Sequence, residues 1–342
     1  MGVCALIVPW NFPLLLSAWK LAPALAMGNT VIWKPSPFTS LSAIRLMEIL
    51  SEAKVLEPGV LNLVLGDRQV GQALSRHHKI AKLSFTGSTE IGKAIAADSA
   101  SSNLKSVSLE LGGKSPNIIF DDTPDLNFAM ERSFTGMFSH KGEKCSEPTR
   151  LFVHETLYEQ VTQYLSAAAQ MVKCGDPFLP SSQQGPQCHL AHFEKILSYI
   201  KSGRNEGAAL LAGGTRDTSE QNADGLFIRP TVFGNVKPEM KIFQEEIFGP
   251  VLCVTPFREE EEVIAMANNS IYGLAAGLWT KDISRALRVA GQLDAGQVFI
   301  NKYGCYDFAS PFGGFKQSGW GKEMALHSLE SYTKLKSVWV KL

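Results

Sequence analysis

This sequence is short of several things, and each shortage excludes a class of function. Neither sign of charge is in excess: 33 Lys and Arg face 33 Asp and Glu. Nothing therefore points to nucleic acid or an anionic membrane surface as a partner. No apolar run reaches the ~20 residues that span a bilayer. Residues 1–16 are apolar, but Pro9, Trp10, Asn11 and Pro13 interrupt them, and they carry no basic n-region or small-residue cleavage site. The six cysteines, at 4, 145, 174, 188, 253 and 305, form no CxxC, and the seven histidines are scattered, so no metal-ligand spacing is present. Irregular cysteines in a chain this long argue against a disulfide framework and for a reducing compartment, the cytoplasm first and the mitochondrion second. The GxGxxG dinucleotide fingerprint, low-complexity tracts and fixed-period repeats are also missing.

What the chain does have is 45% apolar residues, 29 glycines and short apolar runs alternating with helical patterns. Residues 3–8 read as a buried strand. Residues 13–27 read as a helix, with Leu14, Ala18, Leu21 and Leu25 on one face and Gly28-Asn29 as its stop. Strands at 30–33, 60–65 and 80–85 alternate with helices at 41–50 and 70–74. This rhythm predicts βα units and a parallel sheet. After Gly113 the pattern restarts, with strands at 117–120, 151–153, 208–211, 227–233, 250–257, 274–278 and 297–301. Helices are expected at 125–138, 157–172, from 193 to before Gly207, and at 260–267 and 284–293. The domain boundary is placed at the restart, near residues 111–113. Residues 331–342 alternate around Val338, Trp339 and Val340, which predicts a terminal strand with an open edge.

The chemistry concentrates between residues 107 and 145. A short apolar strand, Val107-Ser108-Leu109-Glu110, runs into Leu111-Gly112-Gly113, and a helical segment ends near Gly142-Glu143-Lys144-Cys145. A carboxylate at a strand end and a thiol after a helix can meet across a cleft. That pairing suits covalent catalysis with sulfur as nucleophile and the carboxylate as proton acceptor, although a cysteine is more often a small buried hydrophobe. At Phe85-Thr86-Gly87-Ser88-Thr89-Glu90 a strand end, a glycine and hydroxyls lead into a helix. Its free N–H groups can face an anion, or Ser88 can simply cap the helix; both readings stand.

Seven motifs in order resemble the aldehyde dehydrogenase superfamily over the whole chain. They are Pro9-Trp10-Asn11-Phe12-Pro13, Lys34-Pro35-Ser36, Phe85-Thr86-Gly87-Ser88-Thr89-Glu90-Ile91-Gly92, Glu110-Leu111-Gly112-Gly113-Lys114, Gly142-Glu143-Lys144-Cys145, Glu245-Glu246-Ile247-Phe248-Gly249-Pro250 and Pro311-Phe312-Gly313-Gly314-Phe315-Lys316. The resemblance implies an α/β fold. A partial Rossmann-type cofactor domain would span 1–111, an α/β catalytic domain 112–311, and a return segment with an oligomerisation strand 312–342. It implies NAD(P)-dependent oxidation of a small-molecule aldehyde to a carboxylic acid by a homo-oligomer, without a metal. Cys145 would attack the aldehyde to give a thiohemiacetal, hydride would pass to a nicotinamide, and the thioester would be hydrolysed by water that Glu110 activates. Asn11 would hold the oxyanion, a donor whose loss typically costs ~3 kcal/mol in the barrier. Lys34 would bind the adenosine ribose, Ser88 the pyrophosphate with Gly87 as a backbone-approach position, Glu246 the nicotinamide ribose, and Phe248 would pack beside the ring.

Three departures modify that expectation. Many members carry an acid three residues after the lysine that matches Lys34, and here that place is Pro37. Proline puts no negative charge against a 2′-phosphate, so NADP is expected to be accepted as well as NAD. Gly142-Glu143 stands where Gly-Gln is usual, a variant that resembles the aldehyde dehydrogenase domain of 10-formyltetrahydrofolate dehydrogenase. Glu143 is expected to disfavour the Cys145 thiolate, with Lys141 and Lys144 offsetting it. Finally, the family carries a sizeable stretch before the segment that matches residues 1–8. The sequence is therefore expected to be N-terminally shortened, and a catalytically inactive form is the alternative to an enzyme.

Overall fold

The computed structural model describes residues 1–342 and divides into two compact units. The first comprises residues 1–111, 306–313 and 319–342, and the second residues 112–305 and 314–318.

The first unit is built from β1 (Val3–Ile7), α1 (Pro13–Ala26), β2 (Thr30–Lys34), α2 (Leu41–Glu52), β3 (Leu61–Leu63), α3 (Arg68–Arg76), β4 (Lys82–Thr86), α4 (Thr89–Ser101) and β5 (Ser106–Glu110). These strands lie in the order β3-β2-β1-β4-β5 and all run parallel. A short return strand, Gly319–Trp320, closes the β5 edge antiparallel. The order reverses between β1 and β4, so the crevice outside their carboxyl ends is the natural ligand site of such a sheet. β1 is apolar throughout because both its faces are covered. Cys4 and Leu6 pack into one cluster with Trp33, while Ala5 and Ile7 pack into another with Leu83 and Leu109. α1 tolerates the interior Pro23 and stops at Gly28, whose φ of 71° suits glycine after a helix end.

The second unit contains β6 (Pro116–Ile119), α5 (Leu126–Phe138), β7 (Arg150–His154), α6 (Tyr158–Met171), α7 (Leu190–Asn205), β8 (Ala209–Ala212), β9 (Thr231–Gly234), α8 (Lys241–Gln244), β10 (Val251–Phe257), α9 (Glu260–Asn268), β11 (Tyr272–Gly273), β12 (Ala275–Trp279), α10 (Ile283–Gln292) and β13 (Gln297–Ile300). Its sheet runs β13-β12-β6-β7-β10-β9-β8, parallel except for β8. Alternate residues feed two cores: Phe152 and Cys253 enter one, and Leu151, Val153, Leu252 and Val254 the other. The short β11 pairs with residues Phe315–Lys316.

Four expectations are corrected. The strand expected at 227–233 begins only at Thr231; Pro230 has no N–H to give a ladder, and Ile228 makes only an isolated bridge to Arg216. β3 shrinks to Leu61–Leu63, the sheet edge, where one side has no partner. α7 starts at Leu190 because the His189 ring caps it by accepting from the His192 N–H. The terminal strand at 331–342 does not form. Tyr332 is buried, but Leu335, Val338, Trp339, Val340 and Leu342 stand exposed, since nothing within the chain pairs with their backbone.

Candidate active site

In the first unit every singled-out residue sits at the carboxyl edge of the sheet. Asn11 follows β1 and is buried; Lys34 ends β2; Gly87 and Ser88 follow β4; Glu110 ends β5. β1 and β4 flank the point where the strand order reverses, so Asn11, Gly87 and Ser88 stand at the crevice. Ser88 caps α4, its hydroxyl accepting from the Ile91 N–H at 3.4 Å, and so performs the plain capping role. A side chain on Gly87 would overlap the Phe85 ring. Lys34 is only 5% exposed, and its ammonium hydrogen bonds to the Pro35 carbonyl at 3.2 Å. Burial lowers its pKa, and Asp67, the cap of α3, opposes that shift.

Glu110 belongs to a buried polar stripe. The period of two puts Ser108 and Glu110 of β5 on one buried face, in register with Ser84 and Thr86 of β4, while Ser106, opposite the buried Lys82, is exposed at the start of the strand. Against this stripe Lys20 pairs with Glu323 and donates to Ser84 at 3.2 Å. Burial first, and then the charge of Glu323, push the Glu110 carboxyl well above the ordinary carboxylate range, while Lys20 and Lys322 oppose them. Its Oε2 accepts no hydrogen bond. Lys322 donates to the Gly313 carbonyl at 2.8 Å, and a Cβ on Gly313 would come within 2.6 Å of Glu110 Oε1. A carboxyl whose pKa is raised in this way takes up a proton more readily than an ordinary carboxylate, a property of use to a general base.

In the second unit Cys145 lies half-buried on the loop between α5 and β7. That loop turns through two left-handed residues, Lys141 at φ 59° and Gly142 at φ 73°. Gly142 lies so close to the Gly249 backbone that no side chain fits. Gly113 lies equally close to the Cys145 carbonyl. Glu246 Oε1 accepts from the Gly113 N–H at 2.9 Å, and its other oxygen lies against Gly112. One glycine pair thus brings the Cys145 loop and the Glu246 carboxylate to the same place. Burial raises the Glu246 pKa; the Gly113 N–H, Lys195, Lys114 and His192 hold it back. Phe248 has a left-handed backbone, φ 61°, and its ring meets that of His192 edge-on at 6.0 Å. Burial raises the thiols of Cys4 and Cys253, and pushes those of Cys174 and Cys188 up to about 11. Nowhere do three or more His, Cys, Asp or Glu side chains gather as a metal site.

Residues 1–338 match the aldehyde dehydrogenase family. The chain belongs to that family. Among similar aldehyde dehydrogenases, aldehyde dehydrogenase 1A1 of Gallus gallus is 48% identical over 343 residues, covering 100% of this chain and 66% of the relative. The mitochondrial aldehyde dehydrogenase of Rattus norvegicus is 47% identical, covering 100% and 65%. The NADP/NAD-dependent aldehyde dehydrogenase PuuC of Escherichia coli K12 is 47% identical, covering 100% and 68%. The crystal structure of betaine aldehyde dehydrogenase from Staphylococcus aureus in complex with NAD+ superposes with a TM-score of 0.94 at 42% identity, over 97% of this chain and 65% of that one. The chain thus spans about two thirds of the length of the relatives it matches.

Within this member of the family, sequence reasoning missed Lys20, Glu323 and Lys322 around Glu110, and His192 beside Glu143. One signal was available. Lys20 stands four residues after Leu16 and four before Ala24, on the buried face of α1, and a charge there demands a partner. Glu323 offered no such signal, because its partner lies 303 positions away.

Proposed function

We propose that this chain oxidises an aldehyde to a carboxylic acid with NAD or NADP, using Cys145 as nucleophile and Glu110 as general base. The observation that carries the reading is the Gly112-Gly113 pair, which leaves room only for the Cys145 carbonyl and the Glu246 carboxylate. The PuuC relative, named for NADP and NAD, and the NAD+ complex of the betaine aldehyde dehydrogenase support the cofactor.

The residues fit a dinucleotide. Lys34 is a buried cation with ammonium hydrogens to spare, and α4 presents its N-terminus after the small Gly87. Lys34 would hold the adenosine ribose, the α4 N-terminus with Ser88 the pyrophosphate, and Glu246 the nicotinamide ribose beside Phe248. Bound nicotinamide supplies the hydride acceptor. The Cys145 sulfur bonds to the aldehyde carbon, and the Asn11 amide and the Cys145 N–H steady the developing oxyanion. Glu110 takes a proton from the water that frees the acyl group from sulfur. Glu323 and Lys20, packed against the same buried stripe, adjust its readiness to do so.

Residues 1–111 would then serve the cofactor and residues 112–311 the chemistry. The exposed segment from Leu335 to Leu342 supports pairing with a second copy, so a homo-oligomer is the expected assembly. No helix is long and apolar enough to cross a membrane, and we assign the protein to the cytoplasm, with the mitochondrion second. Glu143 supports the finer likeness to the aldehyde dehydrogenase domain of 10-formyltetrahydrofolate dehydrogenase.

The test is formation of reduced nicotinamide by the purified chain, with a short aldehyde and each cofactor in turn. Absorbance that depends on Cys145, absent in Cys145→Ser, bears the reading out. A folded chain without signal leaves a non-catalytic protein.

A further inference from the structure

Residues 245–250 lie between α8 and β10 and join no helix or strand. No ladder of backbone bonds therefore fixes the direction of the Glu246 carboxylate, and side chains have to do it. Ile247 sinks into the core and anchors the middle of the segment. Beside it runs one face of α7. His192, Lys195, Ile196 and Tyr199 are spaced i, i+3, i+4 and i+7, so they form a single stripe. Each meets a different residue of the segment. The Tyr199 hydroxyl donates to Glu245 Oε2 at 2.6 Å, and Lys195 donates to the Glu246 carbonyl at 3.3 Å. The His192 ring meets that of Phe248, and Gly249 lies so close to Ile196 that a side chain there would overlap it.

Of these contacts the Tyr199 bond is the one that aims. Glu245 has an extended backbone, with φ −101° and ψ 147°, and along extended chain successive side chains leave on different sides. Glu245 turns back to α7. Glu246 turns to the glycine pair, where its Oε1 accepts from the Gly113 N–H at 2.9 Å. A hook on the first acid thus sets the direction of the second. Lys241 Nζ stays 3.9 Å from the same Glu245 oxygen, beyond hydrogen-bond distance, so the hydroxyl is the closer hold. Tyr199 is itself well fixed. It is buried, and the Lys195 and Lys241 ammoniums stand 5.7 and 5.0 Å from the centre of its ring. Burial, and then the Glu245 bond, push its ionisation upward, so the hydroxyl keeps the proton it donates.

The geometry points to Tyr199 as a positioning residue for the cofactor, working through Glu245 to hold the Glu246 carboxylate in the direction that receives the nicotinamide ribose. This inference rests on Glu246 gripping that ribose, as proposed above. Tyr199 needs no contact with the cofactor. It restricts the carboxylate beforehand, so less ordering remains to be done on binding. Loss of the hydroxyl weakens the grip on the nicotinamide half of NAD and leaves the adenosine half alone.

The experiment is calorimetric titration of the full chain with NAD and, separately, with ADP, which carries adenosine and pyrophosphate but no nicotinamide ribose. Tyr199→Phe keeps the ring and removes the donor; NAD binds about fivefold more weakly and ADP as before. Glu245→Ala removes the acceptor with the same result, and the double variant is no worse than either single one. Glu245→Gln keeps an acceptor oxygen and binds NAD as the wild type does. In a Glu246→Ala background, Tyr199→Phe has no further effect. Equal losses for NAD and ADP, or losses that add in the double variant, mark Tyr199 as merely structural and overturn the inference. Unchanged NAD binding in Tyr199→Phe overturns it too. Should that variant fold poorly, Glu245→Ala, at a side chain that is half exposed, carries the test. Failure of the underlying reading shows separately, as NAD affinity that Glu246→Ala does not alter.

Discussion

Gly113 lies directly beneath the carbonyl of Cys145, with no space for even a methyl group between them. The same residue gives its N–H to Glu246 at 2.9 Å. Gly113→Ala therefore has to push the Cys145 loop aside. Overpacking of this kind costs about 1–3 kcal/mol, and misplacement of a reacting group by an ångström costs about 100-fold in rate. Thermal melting and steady-state kinetics should show both losses, with the rate affected more than the melting temperature.

Glu110 should set an acidic limb on kcat/KM above the ordinary carboxylate range, because burial and Glu323 raise its pKa. A base works once its proton is off, so activity rises as pH rises through that value. Glu110→Gln should remove the limb and lower the rate by about 10²–10⁴. The stability effect has the opposite sign. A carboxyl raised on folding stabilises most below its unfolded pKa, and that contribution is lost as pH rises through the folded value. Glu110→Gln should thus melt higher than the wild type at alkaline pH and show little difference in acid.

Lys114 gives a second pH signature. It is fully buried, its ammonium finds no hydrogen-bond acceptor, and burial lowers its pKa to about 8. Between that value and the ordinary lysine range the unfolded chain binds the extra proton, so stability climbs with pH there and falls as pH drops through about 8. Lys114→Met should flatten this slope, worth about 3 kcal/mol across the window, and should stabilise the protein at neutral pH. Denaturant titrations at several pH values read it directly.

Asp67 tests cofactor choice. It is the acid that acts on Lys34, whereas Pro37 carries no charge. Asp67→Asn should move the ratio of NADP to NAD activity toward NADP by about threefold, less at high salt. Paired KM measurements decide it.

Removal of residues 333–342 tests the assembly. Their apolar side chains are exposed and their backbone forms no strand. Within one chain they hold little together, so the truncated protein should melt close to the intact one at low concentration while eluting as a smaller species in gel filtration.

The fold was legible where its signals are local. β1, β4 and β10 read as unbroken apolar or alternating runs, and α1 and α5 as helical stripes closed by their caps, because side-chain period and end residues are properties of neighbouring positions. Legibility failed where a partner decides. Pro230 delayed β9 by denying a hydrogen bond to a strand not adjacent in sequence, and residues 331–342 had the pattern of a strand without an edge to join.

The candidate site divides in the same way. By itself the sequence determined which groups are available: a thiol at 145 behind a tight glycine turn, acids at 110 and 246, a lysine at 34, and motifs in the order of one family. Those are covalent facts, and no packing is needed to read them. Only the tertiary structure decided what surrounds each group. Lys20 and Glu323 meet across 303 residues to flank the Glu110 stripe, Gly113 joins Cys145 to Glu246, and His192 faces Glu143. Charge, burial and proximity are relations between distant positions, and they take values only once the sheets have set their registers.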